Sequence, residues 1–245
     1  MELSDELKQK VATYKPDPDR LAAISHAPML FLVGITGAGK NALLSRLLKK
    51  YPDEYRFIVS HTTRAPRKNS GVMEQDGVEY HFIDNQKMEH MLDTHGFIEA
   101  QVIHDSWVSG TSVAEVQSIS EQGKVGVNDI DIQGADAYVE MGLNVKPIFV
   151  LPPGFDEWMR RFNGRYGENI PQGELVARLQ SAVREFEHAL NVDHFYIVIN
   201  DDLEKTTDLV HEIAQSETVD PRYQKAVDIA QNMLDHIRAE LAKLV

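Results

Sequence analysis

The chain opens on a helical period. Leu3, Leu7, Val11 and Tyr14 recur at three- and four-residue steps. Pro16 and Pro18 interrupt it, so residues 1–27 are expected to form an accessory helix and a linker. From Pro28 to about Gln215, short apolar runs alternate with helical stretches. Met29–Val33 is apolar throughout, as in a strand buried on both faces. Further strands are predicted at 57–60, 125–130, 146–151 and 195–199, and a helix over Ala42–Leu48. Such alternation implies an α/β fold around a mostly parallel sheet. Residues 61–112 break the rhythm and read as an inserted region. The tail, 219–245, reads as one long helix. Its stripe of Tyr223, Val227, Ala230, Leu234, Ile237, Leu241 and Leu244 suits docking on the core or pairing with a second copy.

Composition narrows the function classes. The 25 basic and 38 acidic residues leave a net charge of −13, which excludes a broad nucleic-acid or anionic-membrane surface but leaves room for a small basic pocket. Without cysteine there is neither a disulfide framework nor a thiolate metal site. No stretch has the length of a membrane-spanning helix, and the acidic N-terminus lacks a signal-peptide pattern. A cytoplasmic protein is expected, monomeric or homodimeric, with no nucleic-acid or membrane partner.

One segment carries specific chemistry. Gly34-Ile35-Thr36-Gly37-Ala38-Gly39-Lys40-Asn41 follows the first strand and precedes the first helix of the alternating region. Gly34, Gly39 and Lys40 match the spacing of a phosphate-binding loop, G-x-x-x-x-G-K-[ST]. Glycines let backbone N–H groups curl around phosphate oxygens, the helix N-terminus favours negative charge, and the lysine reaches the β- and γ-phosphates. Asn41 stands where the Mg²⁺-binding hydroxyl is expected.

Basic residues recur downstream. In Ser60-His61-Thr62-Thr63-Arg64-Ala65-Pro66-Arg67, two arginines flank a proline after a predicted strand. Two guanidinium forks can clamp one phosphate dianion, although a solvated basic turn has the same composition. Arg161 and Arg165 fall four apart and share a helical face, and Arg178 lies on the next predicted helix. The intervening Tyr166–Gly173 is polar and reads as a lid loop.

Taken in order, these segments resemble the guanylate kinase family. The resemblance rests on the phosphate loop, Ser60–Arg67, Gly77-Val78-Glu79-Tyr80-His81-Phe82, Gly96-Phe97-Ile98-Glu99-Ala100, Gly110-Thr111-Ser112, Asp129-Ile130-Asp131-Ile132-Gln133-Gly134, Arg160–Arg165 and Asn200-Asp201-Asp202. It spans about 29–215. It implies a P-loop NTPase three-layer core over 28–218, with a small GMP-binding α+β insertion (61–112) and a helical lid (158–180). The implied reaction is phosphoryl transfer from ATP to GMP (dGMP also) with Mg²⁺. By resemblance, ATP would lie on Gly34, Thr36, Gly37, Ala38, Gly39, Lys40, Asn41 and Asn200. GMP would be held by Ser60, Arg64, Arg67, Tyr80, Glu99, Thr111, Asp129 and Asp131, with Glu99 on guanine N1–H and the exocyclic amine. Lys40, Arg161, Arg165 and Arg178 would be catalytic, and Asn41 and Asp129 would hold the metal.

Three departures bear on this expectation. Asn41 replaces the hydroxyl residue, and Ser109 stands before Gly110 where the family has tyrosine, in a segment one residue longer. Four extra residues around Met73–Asp76 bring acid near the phosphate pocket. Trp107 and Trp158 are read as apolar packing residues, and His188 and His194 as packing or surface residues. Two alternatives stand beside the kinase: a guanylate-kinase-like module that binds proteins, and a kinase for another small phosphorylated acceptor.

Overall fold

The computed structural model describes residues 3–69, 71–166, 170–216 and 223–244, apart from the side chains of Asn69, Arg165 and Tyr166. In chain order the elements are α1 (Asp5–Thr13), α2 (Pro18–Ile24), β1 (Met29–Val33), α3 (Lys40–Lys50), β2 (Tyr55–Phe57), β3 (His61–Thr62), β4 (Lys68–Asn69), β5 (Val72–Met73), β6 (His81–Phe82) and α4 (Asn85–Asp93). Then follow β7 (Phe97–Ile103), β8 (Trp107–Ser112), α5 (Val113–Glu121), β9 (Val125–Asp129), α6 (Ile132–Glu140), β10 (Val145–Leu151), α7 (Phe155–Tyr166), α8 (Gln172–Asn191), β11 (Tyr196–Ile199), α9 (Leu203–Gln215) and α10 (Gln224–Leu244). The chain is an α/β protein with two compact units.

The core unit comprises Met29–Tyr55, Val127–Glu140 and Val145–Val245. Its strands belong to a five-stranded sheet of order β11-β10-β1-β9-β2, in which β10 runs parallel to both β1 and β11. Every residue of β1 is buried, which explains its unbroken apolar run. Helices α3 and α6 pack on β1, with Tyr138 edge-on to Phe31 at 4.8 Å. The tail helix docks on α7, α8 and β11 through Ala226, Ala230, Met233, Leu234 and Ile237, whereas Tyr223 is exposed. The predicted stripe is thus rotated slightly, with Ala226 and Met233 taking positions that the count of large apolar residues overlooks.

The second unit comprises Met1–Pro28, Arg56–Gly126 and Met141–Asn144. It holds a four-stranded sheet of order β6-β3-β8-β7, with β7 at one edge, and the β4–β5 hairpin. The N-terminal segment belongs to this unit. Leu3, Leu7 and Val11 join Met88, Leu92, Phe97 and Val108 in one buried cluster.

Two expectations need correction. The linker after Pro16 contains a helix: Asp17 caps it by accepting the Asp19 N–H at 2.8 Å, and Pro18 occupies a first-turn position where its missing N–H costs nothing. The strand expected at 57–60 is two strands, β2 and β3, in different sheets, because the chain changes sheets at Ile58–Ser60.

Candidate active site

Within the core unit, the loop from Gly34 to Lys40 is built on left-handed backbone. Gly34, Gly37 and Gly39 have φ of 130°, 88° and 93°. A side chain at Gly34 would collide with the Val150 carbonyl oxygen, and one at Gly39 with the Asn200 amide nitrogen. Only glycine fits either place. Gly39 is also the N-cap residue of α3, so the unpaired N–H groups of that helix open towards the loop.

Side chains from later in the sequence pin this loop. Asn200 Nδ2 donates to the Ala38 carbonyl at 2.9 Å, and Arg161 Nη1 reaches the same oxygen at 3.5 Å. Arg161 Nη2 donates to the Asn200 carbonyl at 3.0 Å, while Nε donates to Glu157 at 2.7 Å. Hydrogen bonds from Arg160 and then Arg161 hold the Glu157 carboxyl down to about 2. The indole of Trp158, 2% exposed, donates to the Thr36 carbonyl at 2.8 Å. Trp158 therefore does more than pack, and hydropathy gave no signal of it.

Two adjoining cavities open on the loop. One, of about 500 Å³, is lined by Thr36, Gly37, Gly39, Lys40, Asn41, Ala42, Asp129 and Arg161. The other, of about 600 Å³, shares Thr36, Lys40 and Asp129, and adds Asp131 with Ser181, Arg184, Glu185 and His188 from one face of α8. Lys40 Nζ donates back to the Gly34 and Ile35 carbonyls. Burial pushes the Glu185 carboxyl up, against the Ser181 hydroxyl and the charge of Lys40. His188 and His194, both partly exposed at the surface as expected, approach Asp136 with Nε2 at 2.6 and 2.8 Å from its carboxylate oxygens. Asn41 and Asp129, whose side chains carry hard oxygen donors of the kind Mg²⁺ takes, both line the first cavity.

Arg178 lies on α8, 3.6 Å from Glu174, and does not line either cavity. The side chain of Arg165 and residues 167–169 of the expected lid loop lie outside the described residues.

The second unit gathers a different set. Glu99 Oε1 accepts the Thr111 N–H at 3.0 Å, and the Thr111 and Ser60 hydroxyls are 3.3 Å apart. Gly110 is required beside them, since a Cβ there would meet the Glu99 carbonyl at 2.7 Å. Arg64 stacks over the Tyr80 ring at 4.6 Å, and Arg67 over Trp107 at 4.6 Å. Trp107 is thus an arginine platform, not only apolar filling. His61, in van der Waals range of His81 and Phe97, is lowered to about 4, chiefly by burial, and is neutral at physiological pH.

The extra residues have definite places. Strands β4 and β5 pair antiparallel, with Lys68 opposite Met73 and Asn69 opposite Val72, and Glu74, directly after β5, meets the arginines. Glu74 accepts from Arg64 Nη1 and Nη2 at 2.6 and 2.9 Å and from the Arg67 N–H at 2.8 Å. The Arg64 guanidinium holds the Glu74 carboxyl down to about 2. In the turn between β7 and β8, His104 and Asp105 have φ of 48° and 54°. The β7–β8 register runs unbroken from Ile103↔Trp107 to Ala100↔Gly110, and Ser109 Oγ donates to the His61 carbonyl at 3.1 Å.

The family model described as guanylate kinase matches residues 26–217. The chain is 39% identical to guanylate kinase 1 of Oryza sativa subsp. japonica over 71% of its own length and 44% of that protein. It is 31% identical to a guanylate kinase of Schizosaccharomyces pombe, covering 83% of this chain and 93% of that one. For a guanylate kinase of Haemophilus influenzae (strain 86-028NP) the identity is 34%, over 82% and 94%. It spans less than half the length of the two plant relatives it matches. A crystal structure of guanylate kinase from Anaplasma phagocytophilum superposes with a TM-score of 0.53 at 26% identity, covering 79% of this chain and 87% of that one. Helices α1, α2 and α10 lie outside the span of the family model. With that model matching most of the chain, and relatives 31% and 34% identical over more than four-fifths of it, the chain belongs to the guanylate kinase family.

Proposed function

We propose that this chain transfers the γ-phosphoryl group of ATP to GMP, giving ADP and GDP. The observation that carries the reading is one chain holding both a pinned phosphate loop and a carboxylate-centred acceptor cluster. A GMP phosphate oxygen attacks the γ-phosphorus, and the bond from that phosphorus to the β,γ-bridging oxygen breaks, so ADP leaves with the bridging oxygen. Such transfer needs little covalent chemistry from a protein; positioning and charge neutralisation dominate.

Each side chain then has a task. Lys40 leaves its own loop carbonyls for the β- and γ-phosphate oxygens. Arg161, already fixed by Glu157 and Asn200, faces the same cavity and stabilises charge on the transferring group, with Arg165 and Arg178 as further lid cations. Asn41 and Asp129 would hold Mg²⁺, which when bound supplies charge neutralisation of the phosphates. Ser60, Arg64, Arg67 and Tyr80 take the GMP phosphate. Glu99 accepts from the guanine N1–H and exocyclic amine, beside Thr111. Asp131 and Asp129 line the wall of the larger cavity and orient the acceptor. A guanine-like donor edge suits a carboxylate, while adenine would leave it unpaired.

A coupled assay of ADP release with ATP and a panel of GMP, dGMP, AMP, UMP, CMP and ribose phosphates tests this. Turnover confined to GMP and dGMP is expected. Turnover on a ribose phosphate alone would replace the acceptor, and no turnover at all would point to a protein-binding module.

A further inference from the structure

The strand that carries Glu99 is an edge strand with an irregularity next to that residue. Phe97 pairs with Ser112 and Glu99 with Thr111, so the β7–β8 register shifts between them. Edge strands leave a row of N–H and C=O groups without a strand partner. At Phe97 both outward groups are taken by one hydroxyl: the Phe97 N–H donates to Tyr14 Oη at 3.1 Å, and Tyr14 Oη–H donates to the Phe97 carbonyl at 2.7 Å. The Tyr14 ring stands edge-on to Phe97 at 6.5 Å.

Tyr14 does not act alone. It caps the C-terminal end of α1, which packs on β7 and α4. Lys10 donates to the Asp93 carboxylate at 2.9 Å, and Lys8 lies 3.7 Å from Asp105 in the turn at the far end of β7. The His95 ring nitrogen is 3.0 Å from the Lys15 carbonyl, at a residue with φ of 51°. The N-terminal helix thus grips 93–97, the segment leading into Glu99, from outside the span matched by the family model. Burial pushes the Tyr14 phenol up, so it remains a donor across the physiological range.

We infer that Tyr14 is a positioning residue for guanine recognition: its hydroxyl brackets the Phe97 backbone and fixes the strand irregularity that aims Glu99 at the acceptor base. The inference rests on the proposed use of GMP. Helix α1 is then part of the acceptor-binding unit, and the hydroxyl, more than the ring, sets how Glu99 meets its ligand.

The test is Tyr14→Phe in the full chain, which keeps the ring in the cluster and removes only the hydroxyl. KM for GMP should rise about fivefold, the scale of one net hydrogen bond, with KM for ATP within about twofold of wild type. In the ligand-free protein, amide hydrogen exchange over Phe97–Ala100 should quicken. Equal changes in the two KM values, or none, would overturn the inference. Should wild type not use GMP, exchange decides by itself: faster exchange upholds the bracket and unchanged exchange removes it.

Discussion

Trp158→Phe isolates what holds the phosphate loop in shape. The indole nitrogen donates to the Thr36 carbonyl at 2.8 Å, from a side chain that is 2% exposed. Phenylalanine keeps most of the ring against Phe155 and Phe162 but cannot donate. Loss of the hydrogen bond costs about 0.5–1.5 kcal/mol. The smaller ring leaves a partial void that adds about 1–1.5 kcal/mol. The sum of about 1.5–3 kcal/mol corresponds to a melting temperature lower by about 3–12 °C for a chain of this size. Only the hydrogen-bond part acts on the loop, so KM for ATP should rise about two- to tenfold while KM for GMP stays put. Steady-state kinetics with each substrate varied in turn, beside a thermal melt, separates the two parts. A lower melting temperature with KM for ATP unchanged would refute the reasoning and leave Trp158 as packing alone. The protein has two tryptophans, so Trp107→Phe makes Trp158 the sole indole, and its emission should respond to ATP.

Other consequences follow from the same geometry. Glu74→Gln should cost about 1–2 kcal/mol at pH 7, because the carboxylate joins Arg64 and the Arg67 backbone. The Glu74 carboxyl is depressed in the folded state, so its contribution is present above the ordinary value of 4.5 and fades as pH falls through about 2. Urea melts of both proteins should therefore converge between about pH 4 and 2, and a gap that stayed constant would contradict the pairing. Asn41→Ser should lower the Mg²⁺ concentration needed for half-maximal rate; an unchanged Mg²⁺ titration would show that Asn41 is not a limiting donor. Glu99→Gln should weaken GMP binding about ten- to hundredfold in calorimetry with ATP binding intact, and a loss of less than twofold would remove Glu99 from base recognition.

The sequence carried the fold wherever a local signal coincided with a single environment. Met29–Val33 has one reading because both faces are buried, and the glycines at 34, 37 and 39 because no side chain tolerates their φ. The pairing of distant residues was not legible. Nothing in the spacing says that Trp158 donates to Thr36, 122 positions earlier, or that Glu74 closes on Arg64 through a hairpin. Helix α2 was hidden by Pro18, which periodicity treats as a breaker although an Asp17 cap makes it a first-turn residue. Arg184, Glu185 and His188 were missed because only their common face on α8 brings them to the cavity. The extra residues before Tyr80 and Gly110 were visible as length.

The central claim is phosphoryl transfer from ATP to GMP on the Gly34–Asn41 loop. Its most direct measurement is chromatographic detection of GDP after wild type and Lys40→Ala are each incubated with ATP, GMP and Mg²⁺. The account predicts stoichiometric GDP and ADP from wild type and a loss of at least about a hundredfold in rate with Lys40→Ala. Absence of GDP from wild type, or full activity in Lys40→Ala, would contradict it.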